Sequence, residues 1–203
     1  MNKRDIKIYQ NRYNERLLKF GYSTKTLGWG GGKERQLLRF KTHLEIGFKE
    51  NDSIIDIGCG FGDLYFYLKE NFSQFYYYGI DINPKLIEKG KEICPDLNAD
   101  CIDILNTSIK LNSDWVISTG IFNAKLNYED NFSNICLMIT KMLEICNKGV
   151  SVDFISTYVE YRQENSYHTD PKKLIDFLKL NLKKRFIIRM DYLPYEFCIY
   201  IFK

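Results

Sequence analysis

A short buried strand that runs directly into three alternating glycines is the feature that most restricts how this chain can fold. Residues Ser53–Ile57 are mainly apolar, and Gly58, Gly60 and Gly62 follow at once. Alternate glycines form a tight turn in which a ligand can approach the backbone closely. The helix expected after the turn presents free N–H groups at its first residues. The segment therefore predicts a strand, a ligand-binding turn and a helix within an α/β fold.

Strands and helices alternate along the rest of the chain. This alternation predicts right-handed crossovers and a mostly parallel sheet with helices on both faces. The β-rich runs at 185–190 and 197–202 are separated by a short turn, so they must pair as an antiparallel C-terminal hairpin. Two amphipathic helices, at 3–20 and at about 33–48, precede the first strand. The other predicted strands are 76–81, about 99–104, 114–118 and 149–154, and the other predicted helices begin near 64, 84, 130 and 171.

The composition is that of one folded domain. The chain has 203 residues, of which 45% are hydrophobic and 27% charged, so we expect a single domain over residues 1–203. Within it, residues 1–50 are expected to form a helical cap or lid and residues 51–203 the core. The six scattered cysteines lack metal-site spacing, which favours a cytoplasmic protein without a metal. A net charge of +3 indicates no nucleic-acid partner, and no segment indicates a membrane partner.

Acidic residues follow the predicted strands at the positions where a ligand would bind. The glycine spacing is GxGxG rather than the GxGxxG of dinucleotide sites, and Asp56 before the turn would repel a phosphate but accept a bond from an ammonium group. Asp81 ends the next strand, where a carboxylate can bind both hydroxyls of a ribose. Asp103 and Ile104 offer an acceptor and an apolar surface for an adenine. Alternatively, Asp81 caps the following helix. Asp103 could likewise be structural, in which case Asp100 would be the acid at the adenine.

Four segments together resemble a known enzyme family. IIDIGCGFG, YYGIDIN, CIDI and DWVISTGIFN, within residues 53–123, are similar to the successive motifs of class I S-adenosylmethionine-dependent methyltransferases. The C-terminal hairpin is similar to the end of that family's seven-stranded Rossmann-like sheet. The resemblance implies S-adenosyl-L-methionine as cofactor and S-adenosyl-L-homocysteine as product. It implies a cofactor site formed by Asp56, Gly58, Cys59, Gly60, Asp81, Ile82, Asp103, Ile104 and Gly120.

The loop between the two N-terminal helices contains the string LGWGGGK at 27–33. Three consecutive glycines are costly to order, which favours either a mobile lid or a close backbone contact. As a lid, the loop would bring Trp29, Lys33 and Gln36 over the cofactor, where they could meet its carboxylate. A plain flexible turn between two helices is the alternative.

The acceptor is expected at the carboxyl ends of the strands. Candidate residues there are Phe122, Asn123, Tyr158, Tyr161 and His168. His168 is the candidate catalytic base, with a surface or capping role as the alternative. The two tyrosines either line the pocket or simply pack, and His43 lies in a predicted helix away from these loops.

The segment after the fourth strand limits the class of acceptor. Ser118–Phe122 lacks the prolines found in enzymes that methylate exocyclic amines of nucleic-acid bases. The whole chain is also loosely similar to small bacterial methyltransferases of surface-polysaccharide biosynthesis. We therefore expect methyl transfer to a small polar acceptor, specifically an oxygen of a sugar, a nucleotide-sugar or another polysaccharide precursor. The alternatives are an RNA or protein methyltransferase, a non-catalytic scaffold of the same fold, and a nicotinamide-dependent reductase.

Overall fold

A seven-stranded mixed sheet forms the centre of the protein, as the sequence predicts. The computed structural model describes residues 1–29 and 31–203, so that Gly30 of the predicted loop lies outside the described residues. The strands are β1 (Ser53–Ile57), β2 (Tyr76–Asp81), β3 (Ala99–Cys101), β4 (Ser113–Ser118), β5 (Cys146–Ile155), β6 (Arg185–Arg189) and β7 (Glu196–Phe202).

The strand order brings the carboxyl ends of the parallel strands to one edge. The order is β3-β2-β1-β4-β5-β7-β6, with β1 to β5 mutually parallel and β7 antiparallel to both β5 and β6. The chain reverses its direction across the sheet between β1 and β4. Ligands of open α/β sheets bind at such a switch point. The fold therefore places a ligand site above the ends of β1 and β4.

Helices cover both faces of the sheet and create two apolar clusters. The helices are α1 (Lys3–Phe20), α2 (Gly32–Leu44), α3 (Asp63–Asn71), α4 (Pro84–Ile93), α5 (Asn131–Ile145) and α6 (Pro171–Asp176). One cluster contains Phe40 of α2 and Leu64 of α3, and the other contains Met138 of α5 and Leu174 of α6. No helix within the described ranges combines the length and the apolar character needed to cross a membrane.

Capping residues begin and end several helices where the sequence predicts them. The side chain of Asn83 accepts a hydrogen bond from the Lys85 N–H at 3.0 Å, and Pro84 occupies the first turn of α4. Asp170 caps α6 in the same way, by accepting from the Lys172 N–H at 2.9 Å. Gly21 ends α1 with a φ of 58°. These caps fix the helices at the sheet edge where the loops converge.

The structure corrects three predicted boundaries and one predicted core residue. The second helix ends at Leu44 rather than at 48, because Gly47 adopts a φ of 120° in the turn that follows. The third strand ends at Cys101 rather than near 104. Asp103 accepts a hydrogen bond from the Leu105 N–H at 3.1 Å, and this bond forms a turn in place of a longer strand. The helix from 171 passes into a π-turn at 177–181. Ile93, predicted to face inward, is 42% exposed at the last residue of α4.

Gly90 provides a test of how α4 packs against the turn after β1. In a helix interior, alanine usually stabilises by about 1 kcal/mol relative to glycine. A Cβ at Gly90 would lie 2.4 Å from the carbonyl oxygen of Phe61, in that turn. We therefore expect Gly90→Ala to destabilise the protein by about 1–3 kcal/mol, measured by thermal unfolding.

Glu88→Ala, at an exposed position of the same helix, is the matched control and should change stability by less than about 0.5 kcal/mol. A Gly90→Ala variant that melts higher than the wild type would contradict the close approach of α4 to the turn.

Candidate active site

A cavity of about 900 Å³ lies at the carboxyl edge of the sheet, between the strand ends and helices α1 and α2. Its size is within the range of pockets that bind small molecules and cofactors. Most of the residues predicted for the site line it: Asp56, Gly58, Cys59, Gly60, Asp81, Ile82, Asp103, Ile104, Gly120, Phe122, Asn123, Tyr161 and His168. Lys33 and Tyr158 are not among the lining residues.

The turn after β1 depends on glycine at each of its alternate positions. Gly58 has a φ of 78°, and a Cβ there would lie 2.2 Å from Cγ2 of Ile121. The Gly58 N–H donates to the Ile80 carbonyl oxygen at 2.7 Å, which holds the turn beside β2. Gly60 has a φ of 57°, a backbone conformation that residues with a Cβ rarely adopt. These positions bring bare backbone to the floor of the cavity.

The carboxylate of Asp81 joins the ends of β1 and β2. Oδ2 accepts a hydrogen bond from the Gly60 N–H at 2.9 Å, and Oδ1 accepts one from the Asn83 N–H at 2.8 Å. Burial raises the pKa of Asp81, and the bonds from the two N–H groups oppose that shift. Because each carboxylate oxygen has a second lone pair, both can still accept from ligand hydroxyls.

Asp56 is buried at the end of β1, where its Oδ2 accepts a hydrogen bond from the Tyr77 hydroxyl at 2.9 Å. Burial raises the pKa of Asp56 to about 7. A cationic ligand group beside it would lower that pKa again, because an opposite charge favours the ionised form. The residue is therefore suited to an ammonium group and unsuited to a phosphate.

Asp103 and its alternative, Asp100, lie in different surroundings. Asp103 lines the cavity, and its Oδ2 also accepts from the Asn106 side-chain amide at 2.7 Å. Asp100 is exposed outside the cavity, where it accepts from the Tyr78 hydroxyl at 2.8 Å. The structure thus brings Asp103, and not Asp100, together with the other predicted residues. Ile104 beside it is buried.

The segment between α1 and α2 covers the glycines of the sheet edge. A Cβ at Gly60 would lie 3.0 Å from the Leu27 side chain, and one at Gly120 would lie 2.8 Å from the Trp29 ring. The guanidinium of Arg39 lies 4.7 Å from the centre of the Trp29 ring, which is a cation–π contact. Trp29 is therefore held against Gly120 at the end of β4.

Arg39 connects this segment to two acids that sequence reasoning did not single out, the buried Asp153 and the half-buried Glu196. Its Nε donates to Glu196 Oε2 at 2.7 Å and lies 3.5 Å from Asp153 Oδ2. Asp153 Oδ1 accepts from the Gly120 N–H at 2.6 Å, and burial raises the pKa of Asp153 to about 6. The only signal in the sequence was one acid inside the apolar run GVSVDF, and one arginine beside Phe40.

Lys33 is not among the residues that line the cavity, but it contacts one that is. Its ammonium group lies 3.4 Å from Oδ1 of Asp63, a lining residue at the first turn of α3, where a carboxylate is favoured by the helix dipole. Gln36, one turn further along α2, lines the cavity and donates to Asp63 Oδ2 at 2.9 Å.

His168 lies at the acceptor side of the cavity in a defined tautomer. Its Nδ1 is 2.9 Å from the carbonyl oxygen of Ser156, and a carbonyl can only accept, so Nδ1 carries the proton. In the neutral ring Nε2 is then a free acceptor. Nε2 is buried and has no hydrogen-bond partner within residues 1–29 and 31–203. His43, in contrast, bonds Ser151 at 2.7 Å in the interior, and burial together with Arg39 lowers its pKa to about 3.

The other predicted acceptor residues differ in their surroundings. Phe122 is buried and stacks on Phe154 with ring centres 5.3 Å apart, so it is part of the core as well as the cavity wall. Asn123 Oδ1 accepts from the Ile155 N–H at 2.8 Å and ties the loops after β4 and β5 together. Tyr161 is 69% exposed at the cavity mouth. Tyr158 is 67% exposed and is not among the residues that line the cavity.

Comparisons with known proteins agree with this arrangement. Residues 48–192 match a family described as a methyltransferase domain. The chain is 29% identical over 157 residues to "Putative methyltransferase Rv1506c" of Mycobacterium tuberculosis, a match that covers 74% of this chain and 93% of the relative.

Solved structures share the fold over the whole chain. A magnesium protoporphyrin IX methyltransferase from Synechocystis PCC 6803 with bound SAH has a TM-score of 0.67 and 14% identity, covering 98% of this chain and 99% of that one. The plantazolicin methyltransferase BpumL, in complex with a triazolic desmethylPZN analog and SAH, has a TM-score of 0.66 and 15% identity, covering 100% and 99%. The names of these two proteins indicate unlike acceptors, so the fold alone does not select the acceptor.

The raised pKa of Asp56 predicts a pH-dependent cost to stability. A carboxyl whose pKa rises on folding binds its proton more tightly in the folded state, so its contribution to stability falls as pH rises from about 4 to 7. Asp56→Asn removes this cost. At pH 8 we expect the variant to be more stable than the wild type by up to about 4 kcal/mol, and the difference should vanish near pH 4.

Urea unfolding at several pH values measures this difference. Asp96→Asn, which removes a charge at an exposed position, is the control and should track the wild type. An Asp56→Asn variant with the same pH profile as the wild type would contradict the proposed burial of the Asp56 charge.

Proposed function

The chain belongs to the methyltransferase domain family, and from that premise we propose that it transfers the methyl group of S-adenosyl-L-methionine to an oxygen of a small polar acceptor. The observation that carries the proposal is the Asp81 carboxylate. Both of its oxygens are oriented by backbone N–H groups beside the glycine turn, in a cavity of about 900 Å³. A carboxylate held in this way is suited to the two hydroxyls of a ribose.

The residues present fit the proposed cofactor. Gly58, Gly60 and Gly120 line the cavity, and backbone without a Cβ lets a ligand approach closely. Asp56 can accept from an ammonium group, and Asp103 with Ile104 can border the adenine. When bound, the cofactor supplies a methyl group on a positively charged sulfur that is already activated for transfer. The contribution of the protein is then to align the two reactants and to exclude water.

Residues 1–50 act in this proposal as a helical cap over the core of residues 51–203. Gln10 of α1 donates to the Ile82 carbonyl oxygen at 2.7 Å, and Asn83 donates to Asn14 Oδ1 at 3.1 Å. Trp29 reaches Gly120 from the segment after α1. The cap contacts the ends of β2 and β4, and this supports a closed site for a small acceptor.

His168 is the proposed base for a hydroxyl acceptor. With Nδ1 donating to the Ser156 carbonyl oxygen, Nε2 is the nitrogen that can take the proton of the hydroxyl as the new O–C bond forms. A sugar, a nucleotide-sugar or another surface-polysaccharide precursor carries hydroxyls of this kind. A cytoplasmic location is part of the same proposal, supported by six cysteines that are all free thiols.

The proposal predicts that the protein binds S-adenosyl-L-homocysteine through Asp81. Calorimetric titration should give micromolar binding of this product and no binding of NADH. Asp81→Ala should weaken the binding by about 1.5–3 kcal/mol, the contribution of hydrogen bonds to a charged group.

Asp100→Ala is the matched control, since Asp100 is an acid one strand away that lies outside the cavity. Its affinity should equal that of the wild type. Equal affinities of the wild type and Asp81→Ala would remove Asp81 from the site, and binding of NADH instead would replace the proposed activity with that of a reductase.

The proposed role of His168 predicts a specific tautomer in solution. The chain has two histidines, so ¹⁵N NMR of the labelled protein resolves both rings once His168→Gln identifies one of them. We expect a protonated Nδ1 and a bare Nε2 for His168 at neutral pH, and an unchanged affinity of His168→Gln for S-adenosyl-L-homocysteine. A protonated Nε2 would show that the ring cannot accept a proton from the acceptor.

A further inference from the structure

Three arginines line the cavity without acidic partners. Arg12 and Arg16 lie on α1, and Arg35 lies on α2. Among the residues that the structure describes, none of the three side chains forms an ion pair or a hydrogen bond, whereas Arg39 is buried and paired with both Glu196 and Asp153. Arg12 and Arg16 are half-buried and Arg35 is exposed, so the three side chains are available to a ligand in the cavity.

Their positions bring the three groups to one region of the cavity. Arg12 and Arg16 are one helical turn apart and therefore share a face of α1. They lie over the rings of Tyr9 and Tyr13, at 5.6 and 5.8 Å from the ring centres. These contacts hold the α1 side chains in place against the helix.

Arg16 and Arg35 lie at the two ends of the segment that carries Trp29. A Cβ at Gly28 would lie 2.5 Å from Nη1 of Arg16, and one at Gly31 would lie 2.2 Å from Cδ of Arg35. Arg35 is also close enough to Glu196 to lower the pKa of that carboxyl, although burial raises it overall. Arg16 and Arg35 thus border the covering segment, and α1 contacts the chain at the end of β2 through Gln10 and Asn14.

The cavity is lined by both acids and arginines. Asp56 near the end of β1, Asp81 at the end of β2 and Asp103 after β3 lie at the sheet edge, whereas the unpaired arginines lie on α1 and α2. Asp63, Glu160 and Glu196 also line the cavity, and Glu196 is paired with Arg39. The proposed cofactor has an ammonium group, a positive sulfur and one carboxylate, so it matches the acidic floor. Its single carboxylate needs only one guanidinium. At least two guanidinium groups therefore remain for the acceptor.

We propose that the acceptor is a phosphorylated sugar, as a sugar phosphate or a nucleotide-sugar, whose phosphate groups bind to at least two of Arg12, Arg16 and Arg35. The inference rests on the proposed function and specifies its substrate class. Guanidinium groups bind phosphate oxygens through two parallel hydrogen bonds, and a diphosphate offers enough oxygens and charge for two of them. The sugar hydroxyl would then extend from the arginines toward His168.

The experiment uses inorganic pyrophosphate as the probe, so that its result does not depend on the identity of the sugar or the base. The full chain is first saturated with S-adenosyl-L-homocysteine, which occupies the cofactor site. Pyrophosphate is then titrated while the Nε–Hε NMR signals of the arginines are followed. We expect saturable shifts for at least two of Arg12, Arg16 and Arg35, and at least tenfold weaker binding in an Arg12→Gln/Arg35→Gln double variant.

Lys7→Gln is the matched control, because it removes one positive charge from an exposed position of α1 outside the cavity. Its affinity for pyrophosphate should stay within twofold of the wild type. Glucuronate and methyl glucoside, titrated in the same way, represent a carboxylate acceptor and a neutral acceptor. Both should bind more weakly than glucose 1-phosphate.

The failures of the two proposals are distinguishable. Binding of S-adenosyl-L-homocysteine without any arginine shift on addition of pyrophosphate would overturn the phosphate inference and leave the proposed function intact. Tighter binding of glucuronate than of glucose 1-phosphate would also overturn it. Absence of S-adenosyl-L-homocysteine binding would overturn both proposals.

Discussion

The Asp81 carboxylate is the contact on which the rest of the site depends. By accepting from the Gly60 and Asn83 N–H groups, it ties the turn after β1 to the start of α4. Gly60 donates this bond with a φ of 57°, a conformation that residues with a Cβ rarely adopt. Gly90 of α4 packs against the same turn. The position of the cavity floor is therefore set by the ends of β1 and β2, the glycine turn after β1 and helix α4.

A network of charged groups connects the segment between α1 and α2, which carries Trp29, to this floor. Trp29 rests on Gly120 and under Arg39, and Arg39 lies beside Asp153, which in turn accepts from the Gly120 N–H. A buried ion pair adds little stability by itself, but removal of one partner leaves an uncompensated charge. The network thus links the order of the covering segment to the backbone at the end of β4. Buried acids at functional sites commonly reduce stability in this way, and Asp56 has the same character.

The sequence predicted the fold well because its signals are local. β1 and β2 have the predicted bounds, and Asn83, Pro84 and Gly21 cap helices as expected. The similarity to class I methyltransferases is confirmed by the family match, and the seven-stranded sheet agrees with it. The pairing of Arg39 with Glu196 could not be predicted, because the two are 157 positions apart and neither belongs to a motif. The contact of Lys33 with Asp63, which are 30 positions apart, likewise depends on the tertiary structure.

A crystal structure of the protein with S-adenosyl-L-homocysteine is the most direct test of the proposed site. We expect both ribose hydroxyls on Asp81, the amino-acid portion beside Gly58 and Gly60, and Trp29 still above Gly120. We also expect Arg12 and Arg35 to remain free of the ligand and to face the remaining space of the cavity. A ligand bound away from Asp81, or one whose carboxylate occupied all three unpaired arginines, would contradict the proposed site.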